Sequence, residues 1–150
     1  MVAVIQRVSE AQVTISGNRY SGIKKGLFVL LGIHQNDTQV ELEWLVTKLM
    51  NLRIFSDEAG KMNVSLVDYG GELLVVSQFT LLASTAKGNR PSFMKAAKPE
   101  DAFPLYEEFI KRTEAFLSSK VQTGVFGADM QVSLVNDGPV TIILDSADKK

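Results

Sequence analysis

Two unbroken apolar runs, Leu27–Leu31 and Leu73–Val76, constrain the fold of this chain more than any other feature. A strand with one wet face alternates apolar and polar residues, whereas a short continuous run is a strand covered on both faces. The first run predicts a strand buried on both sides, and the second, within Glu72–Gln78, a central strand. Around them the signals are more ordinary. Ala3–Val8 leads into Ala11–Ile15, where Val13 and Ile15 alternate with polar neighbours; Gly17-Asn18 marks a turn, and Tyr20–Ile23 returns as a partner strand. Thr38 with Glu41 forms a capping-box pair, and Leu42, Leu45, Val46 and Leu49 follow at helical spacing. Arg53–Phe55 reads as a strand, with turns at Asp57–Gly60 and Gly70-Gly71. Pro99 suits the first turn of a second helix, which presents Tyr106, Phe109, Ile110 and Thr113 on one side and ends near Ser119. Pro104 is early enough in it to be tolerated, or to delay its start. Strands return at Val132–Val135 and Val140–Leu144, separated by Asn136-Asp137-Gly138-Pro139, and Asp148–Lys150 reads as a frayed tail. The sum is a single α/β domain over residues 1–150. Its strands are mixed and largely antiparallel in barrel-like sheets, with two main helices on one side.

Composition removes several chemistries. No cysteine is present, which excludes disulfides, thiolate metal sites and a cysteine nucleophile; the one histidine, His34, makes a zinc site a poor expectation. No apolar run reaches the eighteen or so residues of a membrane span. Met1–Arg7 lacks the charge-then-apolar order of a secretory signal, so a cytoplasmic location is expected. The net charge of −1 argues against a general nucleic-acid binder. Locally the balance differs: between Glu72 and Glu100 there is no acid, while Lys87, Arg90, Lys95 and Lys98 all fall there. Such a window could neutralise a few phosphates, although a solvated basic loop is the plainer reading.

Three segments could carry chemistry. Ser77-Gln78-Phe79-Thr80 follows a buried strand, where hydroxyls could act as nucleophile or donor and backbone N–H groups could hold an oxyanion; the plainer alternative is a capped strand end. Asn136–Pro139 reads simply as a hairpin turn, and its Gly-Pro bond leaves a cis peptide open. Gly124–Met130, punctuated by glycines, could form an apolar slot for a base, or Phe126 and Met130 could simply be core. His34 lies in the loop before the first helix and reads as solvated. No phosphate-binding glycine loop or dinucleotide fingerprint is present.

These segments together resemble the D-aminoacyl-tRNA deacylase family. Matching stretches are Val4–Val8, Asn51–Phe55, Ser77–Leu81, Arg90–Phe93, Gly124–Met130 and Val132–Thr141, in the family's order and across nearly the whole chain. The pairing of S-Q-x-x-T with N-x-G-P-V-T is the specific part. The resemblance implies a homodimeric enzyme, without cofactor or metal, that hydrolyses the ester between a D-amino acid and the terminal adenosine of tRNA. It further implies that a cis Gly138-Pro139 enters the partner's active site and presents main-chain carbonyls that reject an L side chain, with Arg7 holding it in orientation. Glycyl-tRNA, having no side chain to reject, would also be accepted. Ser77, Gln78, Phe79 and Thr80 would line the ester, with the chemistry resting on backbone groups and the ribose 2′-hydroxyl, and Thr80 positioning rather than attacking. Phe126, Gly127 and Met130 would pack near the terminal adenine. The basic window would then meet tRNA phosphates. Two alternatives stand beside this: a hydrolase for small D-amino-acid esters or peptides with Thr80 as nucleophile, and a non-catalytic RNA-binding or oligomeric ligand-binding module.

Overall fold

A computed structural model describes residues 1–149. Both apolar runs are internal strands, β3 (Gly26–Gly32) and β6 (Glu72–Ser77), paired in parallel from Gly26↔Glu72 to Leu31↔Ser77. Their alternate residues face two separate cores. Leu27, Val29, Leu31, Leu73 and Val75 pack beneath the helices. Phe28, Leu74 and Val76 point the other way, against Val8, Ala11, Val13 and Ile23. With apolar partners on each side neither face needs polar residues, hence the missing alternation.

The N-terminal third forms one long strand, β1 (Val2–Ile15), rather than two. Its first half pairs antiparallel with β3 and its second half with β2 (Asn18–Ile23). Beyond β6 the two-residue strand β7 (Gln122–Thr123) pairs with it in parallel, giving the sheet order β2-β1-β3-β6-β7. Ser21 Oγ donates to the Thr123 carbonyl at 2.6 Å, which brings β2 beside β7 and nearly closes the sheet into a barrel. The second core fills its interior. A separate hairpin of β4 (Arg53–Ser56) and β5 (Met62–Ser65) leads into the single-turn helix α2 (Leu66–Tyr69).

Helix α1 (Gln39–Asn51) begins as its sequence predicts: Thr38 accepts from the Val40 N–H, and Glu41 accepts from the Thr38 N–H at 2.8 Å. Helix α3 starts at Pro99 and runs through Pro104, so that proline does not delay it. It ends at Glu114 rather than near Ser119. There the Phe116 and Leu117 N–H groups bond three residues back, tightening the last turn, and the Glu114 carboxylate accepts from the Val121 N–H. Arg112 joins the two helices through Glu43 at 2.8 Å while also pairing Glu108 at 2.7 Å.

The last third departs most from expectation. Asn136–Pro139 is not a hairpin turn: Gln131–Asp145 is one strand, β8, antiparallel to β1 along its whole length. Gln6 pairs with Thr141 and Val8 with Asn136, so Asp137–Val140 lies opposite Arg7 alone and bulges out of the ladder. The turn chemistry of N-D-G-P serves a bulge as well as a hairpin. Nor is the tail frayed over its described part, because Ser146–Asp148 forms a 3-10 turn and Lys149 pairs with Glu41. Lys150, the final residue of the expected tail, lies outside the described residues. No helix among the described residues is long and apolar enough to cross a membrane.

Candidate active site

Where β6 ends, the chain turns sharply. The Gln78 N–H donates to the Leu31 carbonyl at 2.8 Å, and Phe79–Leu82 then forms a 3-10 turn. Beside it opens a cleft of about 590 Å³. One wall is Ser77, Gln78 and Phe79; another is the start of α3 with Ala96, Ala97, Pro99 and Ala102. The third is Phe126–Met130 with Val132. Two segments separated by nearly fifty residues of sequence, each read as possible chemistry, thus face one another.

The walls are aromatic and fixed. Phe79 is 57% exposed and meets Phe93 edge-on at 5.1 Å. Phe126 contacts Phe103 at 5.4 Å and Tyr106 at 5.6 Å. Behind Phe126 the buried Tyr106 hydroxyl donates to the Val75 carbonyl at 3.1 Å. Burial, with Tyr20 adding to it, pushes that phenol up to about 12. The Phe126–Met130 wall is a tight turn closed by Ala128 N–H to the Val125 carbonyl at 3.1 Å, with Gly127 at φ 77°. Gly124 lets it fold back, since a β-carbon there would sit 2.4 Å from the Met130 sulfur.

Thr80 stands apart from its motif neighbours. It is exposed and outside the cleft lining, and its hydroxyl accepts a 2.5 Å bond from Gln78 Nε2. An amide donor does not activate a hydroxyl for attack, and the one carboxylate in the cleft lining, Asp129, belongs to the Phe126–Met130 wall and makes no hydrogen bond to Thr80. His34 lies elsewhere: its Nδ1 accepts from the Asn36 N–H at 3.1 Å, and it borders a different pocket. What the turn offers instead is backbone. Among the described residues no acceptor pairs with the N–H of Phe79 or Thr80, the first two groups of the 3-10 turn. The described residues contain no group of three His, Cys, Asp or Glu able to hold a metal ion.

Arg7, Gly138 and Pro139 line no part of this cleft. The Gly138-Pro139 bond is cis, and both residues are exposed. Arg7, with a side chain only 14% exposed, donates from Nε to the Asp137 carbonyl at 3.1 Å and from Nη1 to the Ile54 carbonyl at 2.8 Å. Of the basic window, Lys87 and Arg90 lie on an exposed loop whose base is clamped by two 2.8 Å bonds between the Ser84 and Ser92 backbones. Lys95 and Lys98 follow on the way into α3, both exposed. Phe93, Ala96, Ala97 and Ala102 carry no reactive group, and sequence alone assigns them no role in the site.

The sequence matches the family described as D-Tyr-tRNA(Tyr) deacylase over residues 4–145. It is 61% identical to a D-aminoacyl-tRNA deacylase of Cytophaga hutchinsonii and 57% identical to one of Flavobacterium psychrophilum, each over 150 residues spanning all of both chains. Among solved structures, one described as a c-Myc DNA unwinding element binding protein superposes with a TM-score of 0.92 at 47% identity. That match covers 97% of this chain and 98% of the other. A probable eukaryotic D-amino acid tRNA deacylase superposes at 0.84 over 95% and 97% of the two chains; at 16% identity it speaks for the fold alone.

Proposed function

This chain belongs to the D-Tyr-tRNA(Tyr) deacylase family, a hydrolase family acting on the ester of D-aminoacyl-tRNA, and we propose that hydrolysis takes place in the cleft beside Ser77, Gln78 and Phe79. The observation that carries this is the convergence on one cleft of the β6 end and the Phe126–Met130 turn, with two free backbone N–H groups at the turn. Water adds to the ester carbonyl carbon. The developing oxyanion accepts from the Phe79 N–H, the one of the two free groups whose residue lines the cleft, and the ester oxygen departs as a ribose hydroxyl with a proton from the water, the neighbouring 2′-hydroxyl assisting. An aminoacyl ester is labile, so positioning and an oxyanion site suffice without a side-chain nucleophile. Thr80 holds Gln78 in place. Phe126, Gly127 and Met130 receive the terminal adenosine, and Lys87, Arg90, Lys95 and Lys98 meet backbone phosphates of the tRNA in the cytoplasm.

Selection by handedness is the work of a second copy of the chain. The Gly138-Pro139 bulge lies outside the cleft of its own protomer and is exposed. It sits on β8, whose only partner among the described residues is β1, leaving a 15-residue edge open. Val135 and Ile143 on that strand are 50% and 67% exposed. Free edges with apolar side chains are usually protected, and pairing of two copies would protect this one. Each bulge would then enter the partner's cleft and obstruct an L side chain, a selection by steric exclusion. Glycyl-tRNA escapes this exclusion and is a second substrate.

The test is release of amino acid from D-tyrosyl-tRNA and L-tyrosyl-tRNA by the purified protein, with the expected outcome that only the D-ester is cleaved. Heterodimers of one Gly138→Val protomer and one Phe79→Ala protomer extend it. Cross-subunit gating predicts that one intact, D-selective site survives, whereas gating within a protomer predicts none.

A further inference from the structure

Gly32 is the last residue of β3, is buried, and has a φ outside the left-handed region, so its backbone is one any residue adopts. What excludes a side chain there is the chain lying on it. A β-carbon at Gly32 would stand 2.6 Å from Leu82 Cδ2, 3.1 Å from the Gln78 carbonyl oxygen and 3.1 Å from Leu81 Cβ. All three atoms belong to the turn after β6. The Gln78 N–H is bonded to the Leu31 carbonyl next door, so the turn is fastened at the point where it is closest. Leu82 is only 8% exposed and cannot swing aside without leaving the core. The other two atoms move only if the turn moves.

We propose that Gly32 is a positioning residue for ester hydrolysis: its bare Cα lets the Gln78–Leu82 turn settle onto the end of β3, and that seat aims the Phe79 N–H group into the cleft. This rests on the reading of the turn as the place of hydrolysis. A methyl group at residue 32 lifts the turn by a few tenths of an ångström, on the scale at which catalytic alignment is lost. The start of α3 and the Phe126–Met130 wall are untouched by it, so binding survives while turnover falls.

The experiment measures kcat, KM and thermal midpoint for Gly32→Ala, Leu82→Val and the double variant in the full chain, with D-tyrosyl-tRNA as substrate. Gly32→Ala should lower kcat about tenfold or more with little change in KM. Leu82→Val alone sets the baseline kinetics against which the double variant is compared. In the double variant the tightest contact, with Leu82 Cδ2, is gone while those with the Gln78 carbonyl oxygen and Leu81 Cβ remain, so kcat should recover part of its loss. Wild-type kcat in Gly32→Ala overturns the proposal, as does a loss that Leu82→Val does not relieve or that follows the unfolded fraction. Phe79→Ala serves as the reference. If it is impaired while Gly32→Ala is not, only the role of Gly32 falls; if both retain full turnover, the turn is not the reaction site and the proposal falls with it.

Discussion

The guanidinium of Arg7 lies against Gly138, its Nη2 2.9 Å from the point a β-carbon on that glycine would occupy. The same group bonds the carbonyls of Asp137 and Ile54, so one side chain ties the bulge of β8 to strand β4. Gly138 has φ 130°, a conformation that L side chains rarely adopt, and Val140 Cγ2 closes its other side at 2.8 Å. The bulge is thus held from two directions by groups that leave no room for a side chain.

Arg7→Lys tests that arrangement. A lysine keeps the charge but lacks the planar fork that reaches two carbonyls at once. If the bulge is the proposed gate, the expected outcome is a D-over-L preference reduced by about tenfold, with a folded protein, because a loosened gate excludes less well. Initial rates on the two tyrosyl-tRNA enantiomers supply the ratio; an unaltered ratio would show that Arg7 does not orient the gate.

Thr80→Ala separates positioning from attack. Since the Thr80 hydroxyl accepts from Gln78 and faces no base, its removal should cost about tenfold or less in kcat, the scale of a lost neutral hydrogen bond. Loss of a covalent nucleophile costs several orders of magnitude more. A variant with no measurable turnover, or an acyl-enzyme trapped in the wild type, would reinstate Thr80 as the nucleophile.

At low pH the link between Glu41 and the C-terminal segment becomes visible. The Lys149 ammonium, followed by the Thr38 hydroxyl, holds the Glu41 carboxyl down at about 2 from an ordinary value of 4.5. A depressed carboxyl stabilises the fold above its unfolded value, and the contribution fades as pH falls through the folded one. Wild type should therefore melt higher than Glu41→Gln above pH 5, with the two curves converging between about 4.5 and about 2. A gap of constant size across that window would mean the pair contributes nothing through charge.

Tyr106 produces the opposite dependence. Its phenol is raised from 10.0 to about 12, so the folded protein resists ionisation that the unfolded chain accepts. Stability from this group is complete below about pH 10 and is lost toward about pH 12. Tyr106→Phe should cost about 1 kcal/mol at neutral pH, where it removes a bond to the Val75 carbonyl. The deficit should shrink as pH rises through that window. Thermal melts from pH 7 to 12 decide it, and a deficit that widens with pH contradicts the assignment.

What could be read in advance follows from the range of each interaction. Leu27–Leu31 announced a strand covered on both sides, and Leu73–Val76 a central strand, because burial of both faces erases the polar alternation within the strand itself. Thr38 and Glu41 announced a helix start because their bonds span three residues. Asn136–Pro139 misled because its local chemistry fits a bulge and a hairpin equally, and only the distant β1 decides that both flanks pair with one strand. The Lys149–Glu41 pair was invisible for the same reason. Within the cleft, Ser77–Phe79 and Phe126–Met130 carried recognisable motifs, whereas Ala96, Ala97 and Ala102 lend only shape, for which sequence has no sign. Thr80 belonged to the motif, yet the tight 3-10 winding after Gln78 leaves it outside the cleft lining.

Ile143 offers the most direct examination of the proposed two-chain site. It is 67% exposed near the end of β8, on a strand whose outer edge has no partner among the described residues. Burying a glutamate in an apolar contact between two copies costs far more than exposing one on a monomer. Ile143→Glu should therefore convert a dimer to a monomer in sedimentation velocity at micromolar concentration, while the barrel and both cores, which Ile143 does not enter, leave the thermal transition intact. With the partner's bulge gone, discrimination should fail in a defined direction: any remaining hydrolysis should no longer favour the D-ester over the L-ester. A monomer that keeps full D-selectivity would place the gate within its own chain, and a variant that stays dimeric would move the contact away from β8.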